Sequence, residues 1–329
     1  SDIPILIISK ESRYFFSRTA LMYVYMGHLK WEHTQPYENH FWKKNRLDLC
    51  QETVTNIDPQ VKTVELSNGS ILSYTSLVLA TGSLPNKFGW PGENFKGVQG
   101  LYSKQDLENL EALSSSIKEA VVVGGGLIGI ELAEMLHARG KKVTFLVREE
   151  SFWNTVIPEG DSKMINRHII SHGIDLRLST NLSEIIEDEN GRAKAIRTDK
   201  NEIIPCQFVG LTVGVRPNID FIKRTSIATN KGILVNKYLE TSQTDIYAVG
   251  DCAEQQEPLP GRRPIEAVWY TGRMMGETLA KTLTGKKTAY QPGHWFNSAK
   301  FFDIEYQTYG LVAARPTKAE IHFHWENAE

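Results

Sequence analysis

Cysteine is scarce in this sequence: Cys50, Cys206 and Cys252 lie far apart among 329 residues and form no C-x-x-C pair. This spacing argues against a disulfide framework and fits reduced thiols, so we expect a cytoplasmic protein. The formal net charge is only −2, which argues against a nucleic-acid partner. Because no apolar run approaches the ~18 residues of a membrane-spanning helix, we expect no membrane span.

Motifs for several common chemistries are also missing. The sequence has no G-x-S-x-G nucleophile elbow and no phosphate-binding P-loop. His168 and His172 stand four apart on a predicted helix, but no third ligand accompanies them, so we expect an exposed helix face and no metal site. His322 and His324 alternate on a predicted strand, which we expect to lie at the surface.

The composition that is present is that of an ordinary globular protein of two or three domains, with 41% hydrophobic and 23% charged residues. An Asn68-Gly69 turn between 62–66 and 71–74 predicts a hairpin. The segment from Trp295 to Trp325 alternates as strands do. Apolar runs predict buried strands at 4–8, 77–80, 121–123, 143–147, 208–214 and 244–251. Helices are predicted after Ser103, over 127–136, over 158–173 and over 265–283.

The stretch 121–147 is the one around which the chain is organised. A buried strand, a glycine-rich turn, an apolar helix and a second strand follow one another, and the turn reads G-x-G-x-x-G. In such a unit Gly124 makes the tight turn, Gly126 lets the backbone approach a pyrophosphate, and Gly129 lets helix and strand pack closely. The helix N-terminus then offers N–H groups and a positive dipole end to the phosphates. The sequence therefore predicts a dinucleotide site here.

The residues after the second strand of this unit indicate whether the coenzyme is NADH or NADPH. An acid there would bind the ribose 2′-hydroxyl and favour NADH, but Val147 is followed by Arg148, which would accommodate a 2′-phosphate. Glu149 and Glu150 lie close enough to weaken that argument. The sequence leans slightly to NADPH.

Two further carboxylates follow predicted buried strands. Glu11 could bind a ribose, although Ser9 or Lys10 is equally well placed and a plain polar turn is the alternative. Asp251 ends another strand, where a carboxylate is costly unless it is hydrogen-bonded. A polyol hydroxyl would satisfy it, and the alternative is an N-cap for the following segment.

Four motifs occur in order: Thr81-Gly82-Ser83, Gly124 to Glu131, Gly214 to Asn218 and Thr244 to Asp251. With them, nearly the whole chain resembles the two-dinucleotide-binding-domain flavoproteins, also called pyridine nucleotide-disulfide oxidoreductases. The resemblance implies an α/β fold with two Rossmann-like domains, the NAD(P) domain being inserted in a discontinuous FAD domain. A small C-terminal α+β domain often makes a homodimer. The expected boundaries are 1–98 and 219–288 for the FAD domain, 99–218 for the NAD(P) domain, and 289–329 for an incomplete C-terminal interface domain.

The resemblance also implies roles for individual residues. Asp251 would hold the ribityl chain of FAD, Arg18 would lie against the flavin nucleotide, and Trp269 would face the flavin. Glu131 is the best candidate for a polar contact near the nicotinamide; no catalytic acid or base is assigned, since hydride transfer needs none. The expected FAD residues are Glu11, Arg18, Thr81, Gly82, Gly250, Asp251 and Trp269. The expected NAD(P) residues are Gly124, Gly126, Leu127, Ile128, Gly129, Glu131, Arg148 and Gly214.

Two departures from the family pattern narrow the function. The family opens with a glycine-rich turn for the FAD pyrophosphate, whereas this chain begins at what corresponds to the next strand, so we expect part of a longer protein. Disulfide-reducing branches carry cysteine after that strand, but 16–20 contains none, and Cys252 is expected to be a small buried residue. The segment is more similar to ferredoxin-, rubredoxin- and nitrite-reductase branches.

The sequence therefore predicts an FAD-dependent oxidoreductase. A hydride would pass from NAD(P)H to FAD, and electrons would then leave directly for an iron–sulfur protein, a quinone, dioxygen or a small molecule. The alternative is a non-catalytic NAD(P)-binding scaffold or sensor.

Overall fold

A computed structural model describes residues 3–327 of the chain and resolves them into two compact units. The first unit comprises the described residues as far as Phe16, together with Gln35–Leu84 and Val215–Asn297. The second comprises Ser17–Thr34, Pro85–Gly214 and the described residues from Ser298 onward. Each unit is therefore assembled from segments that are distant in sequence.

The described chain contains six α-helices, four short 3-10 helices and 21 strands. The α-helices are α1 (Leu21–Tyr25), α2 (Asn39–Lys44), α3 (Lys104–Ser114), α4 (Leu127–Ala138), α5 (Glu159–Ser171) and α6 (Trp269–Leu283). Short 3-10 helices cover Arg18–Ala20, Trp31–Thr34, Ile222–Arg224 and Gly250–Cys252. The first strands are β1 (Ile5–Ile8), β2 (Leu47–Cys50), β3 (Val54–Asp58), β4 (Thr63–Leu66), β5 (Ile71–Ser73), β6 (Leu77–Leu79), β7 (Ser83–Pro85), β8 (Val98–Gln99), β9 (Glu119–Val123) and β10 (Lys142–Leu146). The remaining strands are β11 (Asp175–Arg177), β12 (Leu182–Glu187), β13 (Ala193–Thr198), β14 (Ile203–Pro205), β15 (Phe208–Leu211), β16 (Val215–Pro217), β17 (Ile233–Val235), β18 (Ile246–Ala248), β19 (Ala253–Gln255), β20 (Phe296–Phe301) and β21 (Ile304–Tyr309).

A parallel five-stranded sheet in the order β11-β10-β9-β15-β8 forms the centre of the second unit. Val121 on β9 pairs with Thr144 on β10 and with Val209 on β15. Leu132 and Leu136 of α4 are fully buried, as expected for a helix that covers a parallel sheet. The predicted strand–turn–helix–strand unit is confirmed, and an antiparallel sheet β12-β13-β14 belongs to the same unit.

Two helices of the second unit, α3 and α5, begin where the sequence supplies a start signal. Ser103 and Asp106 form a reciprocal capping box at α3, in which each side chain accepts from the backbone N–H of the other. Pro158 precedes α5, whose Ile165 and Ile169 are buried while polar residues face outward. α4 begins directly after the glycine-rich turn, with Gly126 as its N-cap, and no side chain caps it. Its first N–H groups are therefore available to a ligand.

The first unit is built from pairs of parallel strands, β6 with β18, β17 with β19 and β1 with β2, and from the antiparallel sheet β3-β4-β5. The hairpin of β4 and β5 turns at Asn68-Gly69 as predicted, and Gly69 has a φ of 82°. Leu79, Ile246 and Met275 meet in one buried apolar cluster. This core fixes the ends of β6 and β18 beside each other.

Two sequence expectations in the first unit need correction. β1 forms the predicted parallel strand, but Ile5, Leu6 and Ile7 are 40–48% exposed, because in the described residues β1 pairs with β2 alone. α6 begins at Trp269 and not at Ile265, since Val268 still has extended backbone with φ −136° and ψ 135°.

The end of the described chain also differs from expectation. Strand structure stops at Tyr309, so His322 and His324 lie on irregular backbone and not on a strand. The segment 289–329 does not form a compact unit of its own in the described residues. Tyr290 packs in the core cluster of the first unit, whereas β20 and β21 pair with each other and are assigned mainly to the second unit.

Candidate functional site

Two positions of the glycine-rich turn in the second unit, Gly124 and Gly129, leave no room for a side chain. Gly124 has a φ of 115°, and a Cβ there would lie 2.5 Å from the carbonyl oxygen of Thr212. A Cβ on Gly129 would lie 2.1 Å from the carbonyl oxygen of Gly124. Contacts this short are sterically forbidden, so the turn and α4 can approach β9 only with glycine at both positions.

Gly126 has the opposite environment. A Cβ placed on it would meet nothing within 4 Å, and its φ of −103° is open to any residue. Leu127 and Ile128 follow as the first residues of α4, whose N–H groups have no acceptor within the helix. No acidic residue stands in this first turn. The expected residues therefore lie together at the N-terminus of α4, which carries a partial positive charge, and the space beside Gly126 is open. This arrangement fits a dinucleotide pyrophosphate.

Thr212 holds this turn in place, and the sequence reasoning missed it. Its hydroxyl donates to the carbonyl oxygens of Val123 at 2.8 Å and of Gly124 at 3.2 Å, and its backbone N–H donates to Val123 at 2.8 Å. A β-branched residue directly after β15 reads as a continuation of the strand. The one feature of the sequence that could have indicated its role is its position two residues before Gly214, an expected nucleotide-binding residue.

Glu131 lies one turn into α4 and is partly buried. Loss of hydration, followed by the nearby charge of Glu134, raises the pKa of Glu131 to about 8. Burial raises the pKa of Tyr23, and the charges of Glu134 and Glu131 raise it further. At neutral pH the carboxyl of Glu131 is therefore largely protonated and can donate a hydrogen bond.

The other expected nucleotide residues lie at the ends of neighbouring strands. Arg148 follows β10, is 77% exposed and pairs with Glu149 at 2.9 Å. Gly214 follows β15 with a φ of 88°, and its carbonyl accepts from the backbone N–H of Asn86 at 3.0 Å. The carboxyl ends of parallel strands are where nucleotides bind in α/β sheets.

In the first unit, β6 and β18 run parallel with Leu79 opposite Ala248, so their carboxyl ends share one edge. Thr81 lies beyond β6, and its hydroxyl donates to the carbonyl oxygen of Asn218 at 2.7 Å. The backbone N–H of Asn218 donates in turn to Gly82 at 2.9 Å. These reciprocal bonds fix Thr81 and Gly82 at the strand edge.

Asp251 lies at the same edge, beyond β18. Its Oδ2 accepts a hydrogen bond from the hydroxyl of the buried Ser83 at 2.9 Å. Gly250, directly before it, has a φ of 73°, and a Cβ there would meet nothing within 4 Å. A carboxylate beside an open glycine backbone fits the hydroxyl-bearing chain of a flavin nucleotide.

Trp269 is the first residue of α6 and is half-exposed. The segment that leads into this helix is held by Arg262 and Glu266, whose side chains are each only 7% exposed and meet at 2.5 Å. Arg262 also donates to the carbonyl oxygen of Gly293 at 2.9 Å. This buried ion pair was not foreseen, because two charges four apart usually mark a solvated surface.

Glu11 and Arg18 are the two remaining expected residues. Glu11 is partly buried and lies shortly after β1 in the first unit. Arg18 belongs to the second unit, where its guanidinium lies over the ring of Tyr102 at 4.6 Å and donates to the carbonyl oxygen of Tyr102 at 2.5 Å. The edge formed by Thr81 and Asp251 belongs to the first unit.

The three cysteines are free thiols. Cys252 is fully buried, its Sγ donates to the carbonyl oxygens of Leu79 and Val249, and burial raises its pKa. Burial also raises the pKa of Cys206 to about 12. The expectation that Cys252 is a small buried residue is confirmed. Within residues 3–327, no helix combines the length and apolarity needed to cross a membrane.

Comparison with known proteins agrees with this architecture. The pyridine nucleotide-disulphide oxidoreductase family matches residues 2–276. Rhodocoxin reductase of Rhodococcus erythropolis is 30% identical over 84% of this chain and 65% of its own length. The nitric oxide reductase FlRd-NAD(+) reductase of Escherichia coli K12 is 30% identical over 88% of this chain and 74% of its own. The crystal structure of a ferredoxin reductase from Rhodopseudomonas palustris has the same fold, with a TM-score of 0.88 at 24% identity over 94% of this chain and 76% of its own.

The fold and the two strand edges fit a protein that binds nucleotides. The chain belongs to the pyridine nucleotide-disulphide oxidoreductase family, whose members use flavin and NAD(P)H. The relatives are named reductases, which favours an oxidoreductase over the non-catalytic scaffold.

Proposed function

We propose that this chain accepts a hydride from NAD(P)H on FAD and passes the electrons to a small redox protein. The observation that carries the proposal is the turn 124–129. A ligand can approach the backbone at Gly126, whereas Gly124 and Gly129 have no room for a side chain. Bound flavin supplies the two-electron acceptance of hydride and the stepwise release of electrons. The chain supplies binding, orientation and exclusion of water.

Individual residues divide this work. The first turn of α4 binds the pyrophosphate of NAD(P)H through backbone N–H groups. Glu131, protonated at neutral pH, donates a hydrogen bond to the carboxamide of the nicotinamide. Asp251, held by Ser83, binds hydroxyls of the flavin side chain, and Trp269 faces the flavin from the start of α6.

We propose that the electrons leave the flavin without a thiol relay. A nucleophilic cysteine needs thiolate character, whereas burial raises the pKa of both Cys206 and Cys252. Rhodocoxin reductase and FlRd-NAD(+) reductase are named for their acceptors, which supports a protein carrier here.

The acceptor is tested by reducing the purified protein with NADPH without oxygen and mixing it rapidly with a ferredoxin, a rubredoxin, a quinone or dissolved dioxygen. The proposal predicts that flavin absorbance recovers fastest with one of the two carrier proteins. Fastest recovery with the quinone or with dioxygen would contradict it.

For the coenzyme, we propose a slight preference for NADPH that depends on Arg148. Its exposed guanidinium is held by Glu149 and can reach a 2′-phosphate. R148A should lower kcat/KM for NADPH and leave kcat/KM for NADH unchanged. The activity with NADH is therefore the internal control, and the ratio of the two values should fall relative to the wild type. An unchanged ratio would contradict the assignment. The homodimer stays a prediction.

A further inference from the structure

His168 and His172 meet a third metal-binding side chain that the sequence reasoning could not see. His168 lies in the last turn of α5, and His172 is the residue directly after the helix. Their rings are 4.5 Å apart between centroids. Asp303, in the two-residue turn between β20 and β21, lies against both. The expectation of an exposed helix face is wrong, since each histidine side chain is only 24% exposed.

The distances between the three side chains are compatible with binding one metal ion. Nε2 of His172 lies 3.4 Å from Oδ1 of Asp303, and Nε2 of His168 lies 3.8 Å from Oδ2. One ligand atom from each of the three residues lies within 4.8 Å of the others. A tetrahedral zinc ion with bonds of about 2.1 Å separates its ligand atoms by about 3.4 Å.

The hydrogen bonding of the two imidazole rings leaves Nε2 of each histidine for a cation. Nε2 of His168 is buried and has no hydrogen-bond partner among the described residues, which is costly unless something coordinates it. Nδ1 of His172 lies 2.9 Å from the carbonyl oxygen of His168. Because a carbonyl only accepts, that Nδ1 carries a proton, and Nε2 is the nitrogen of His172 that a metal ion would bind. Such a bond to the second nitrogen is the usual support of a metal-binding histidine.

The turn that carries Asp303 is itself held in position. Phe302 has a φ of 48°, and its backbone N–H donates to Oε2 of Glu134 on α4 at 2.8 Å. The ring of Phe302 packs against that of His172 at 4.5 Å. Glu134 is therefore a positioning residue for the turn. Asp303 is 75% exposed, so an ion can enter from solvent.

We propose that His168, His172 and Asp303 bind one Zn²⁺ ion, which fastens the hairpin of β20 and β21 to α5. Two imidazoles and one carboxylate suit zinc better than the hard cations Ca²⁺ and Mg²⁺. Water would complete the coordination at the exposed side. Because only the folded chain brings helix and hairpin together, bound zinc stabilises the fold.

The test is a calorimetric titration of the chelator-treated, full-length protein with ZnCl₂. The wild type should bind one ion per chain at micromolar concentrations, and D303N and H172Q should each weaken binding by at least about tenfold. H322A is the matched control, because it removes an exposed histidine of the terminal segment and should bind as the wild type does. D303N alters an exposed side chain, so it keeps the test valid if H172Q does not fold.

A second readout follows the hairpin directly. Zinc should slow amide hydrogen exchange in 296–309 in the wild type and in H322A, but not in D303N. Equal zinc affinity in the wild type, D303N and H172Q, or the lack of a one-to-one site in the wild type, would overturn the proposal.

Discussion

Gly129 faces the carbonyl oxygen of Gly124 so closely that a Cβ on Gly129 would lie 2.1 Å from that oxygen. Any side chain here must push α4 away from the glycine turn. We expect G129A to lower the free energy of unfolding by about 1–3 kcal/mol, the usual cost of overpacking, measured by denaturant titration. Unfolding of G129A at the wild-type denaturant concentration would contradict the observed packing.

Gly126 should behave differently, although it lies in the same motif. Its Cβ would meet nothing within 4 Å, so G126A should cost less than about 1 kcal/mol of stability, from weaker capping alone. The methyl group would instead occupy the space of the pyrophosphate, and KM for NADPH should rise at least about tenfold. Steady-state kinetics measures this, and an unchanged KM would show that the nucleotide does not bind at this turn.

Glu131 should make stability depend on pH. Its pKa is raised to about 8 in the folded chain, so between about pH 4.5 and 8 the folded state holds a proton that the unfolded state releases. Stability then falls as pH rises through this window. E131Q removes the penalty and should raise Tm relative to the wild type at pH 8.5, by at least about 2 °C, but not at pH 4.

The comparison at two pH values separates this effect from a general change in packing. Equal shifts in Tm for E131Q at pH 4 and pH 8.5 would contradict the raised pKa of Glu131.

Asp251 should govern flavin retention. Hydrogen bonds to a charged group contribute about 1.5–3 kcal/mol, so D251N should weaken FAD binding about 10- to 100-fold, measured by flavin fluorescence after dilution. Its matched control is D220N in the same unit, which removes an exposed carboxylate that pairs with Arg216 and Lys223. Equal flavin loss in both variants, or in neither, would remove Asp251 from the site.

The sequence was sufficient wherever the signal was local. The unit 121–147 could be predicted because apolar periodicity and obligatory glycines lie within one stretch of chain. Asp251 could be singled out because a charge directly after a buried strand needs a partner. Ser103 likewise indicated the start of α3, because serine is a favoured N-cap residue.

What the sequence could not supply was contact between distant segments. Asp303 lies far along the chain from His168, so the third ligand could not be predicted from the sequence. The two residues meet only because the fold places the hairpin of β20 and β21 beside α5. The exposure of Ile5 was missed for a related reason, since an apolar run does not reveal what covers it. The buried pair of Arg262 and Glu266 was likewise not predicted, because local sequence does not report burial.

The absorbance spectrum of the purified protein, recorded without oxygen before and after addition of NADPH and then of NADH, tests the central claim most directly. The account predicts a flavin band that bleaches with either nucleotide and recovers when an acceptor is added. A protein that takes up no flavin even after incubation with FAD, or a bound flavin that neither nucleotide reduces, would contradict it.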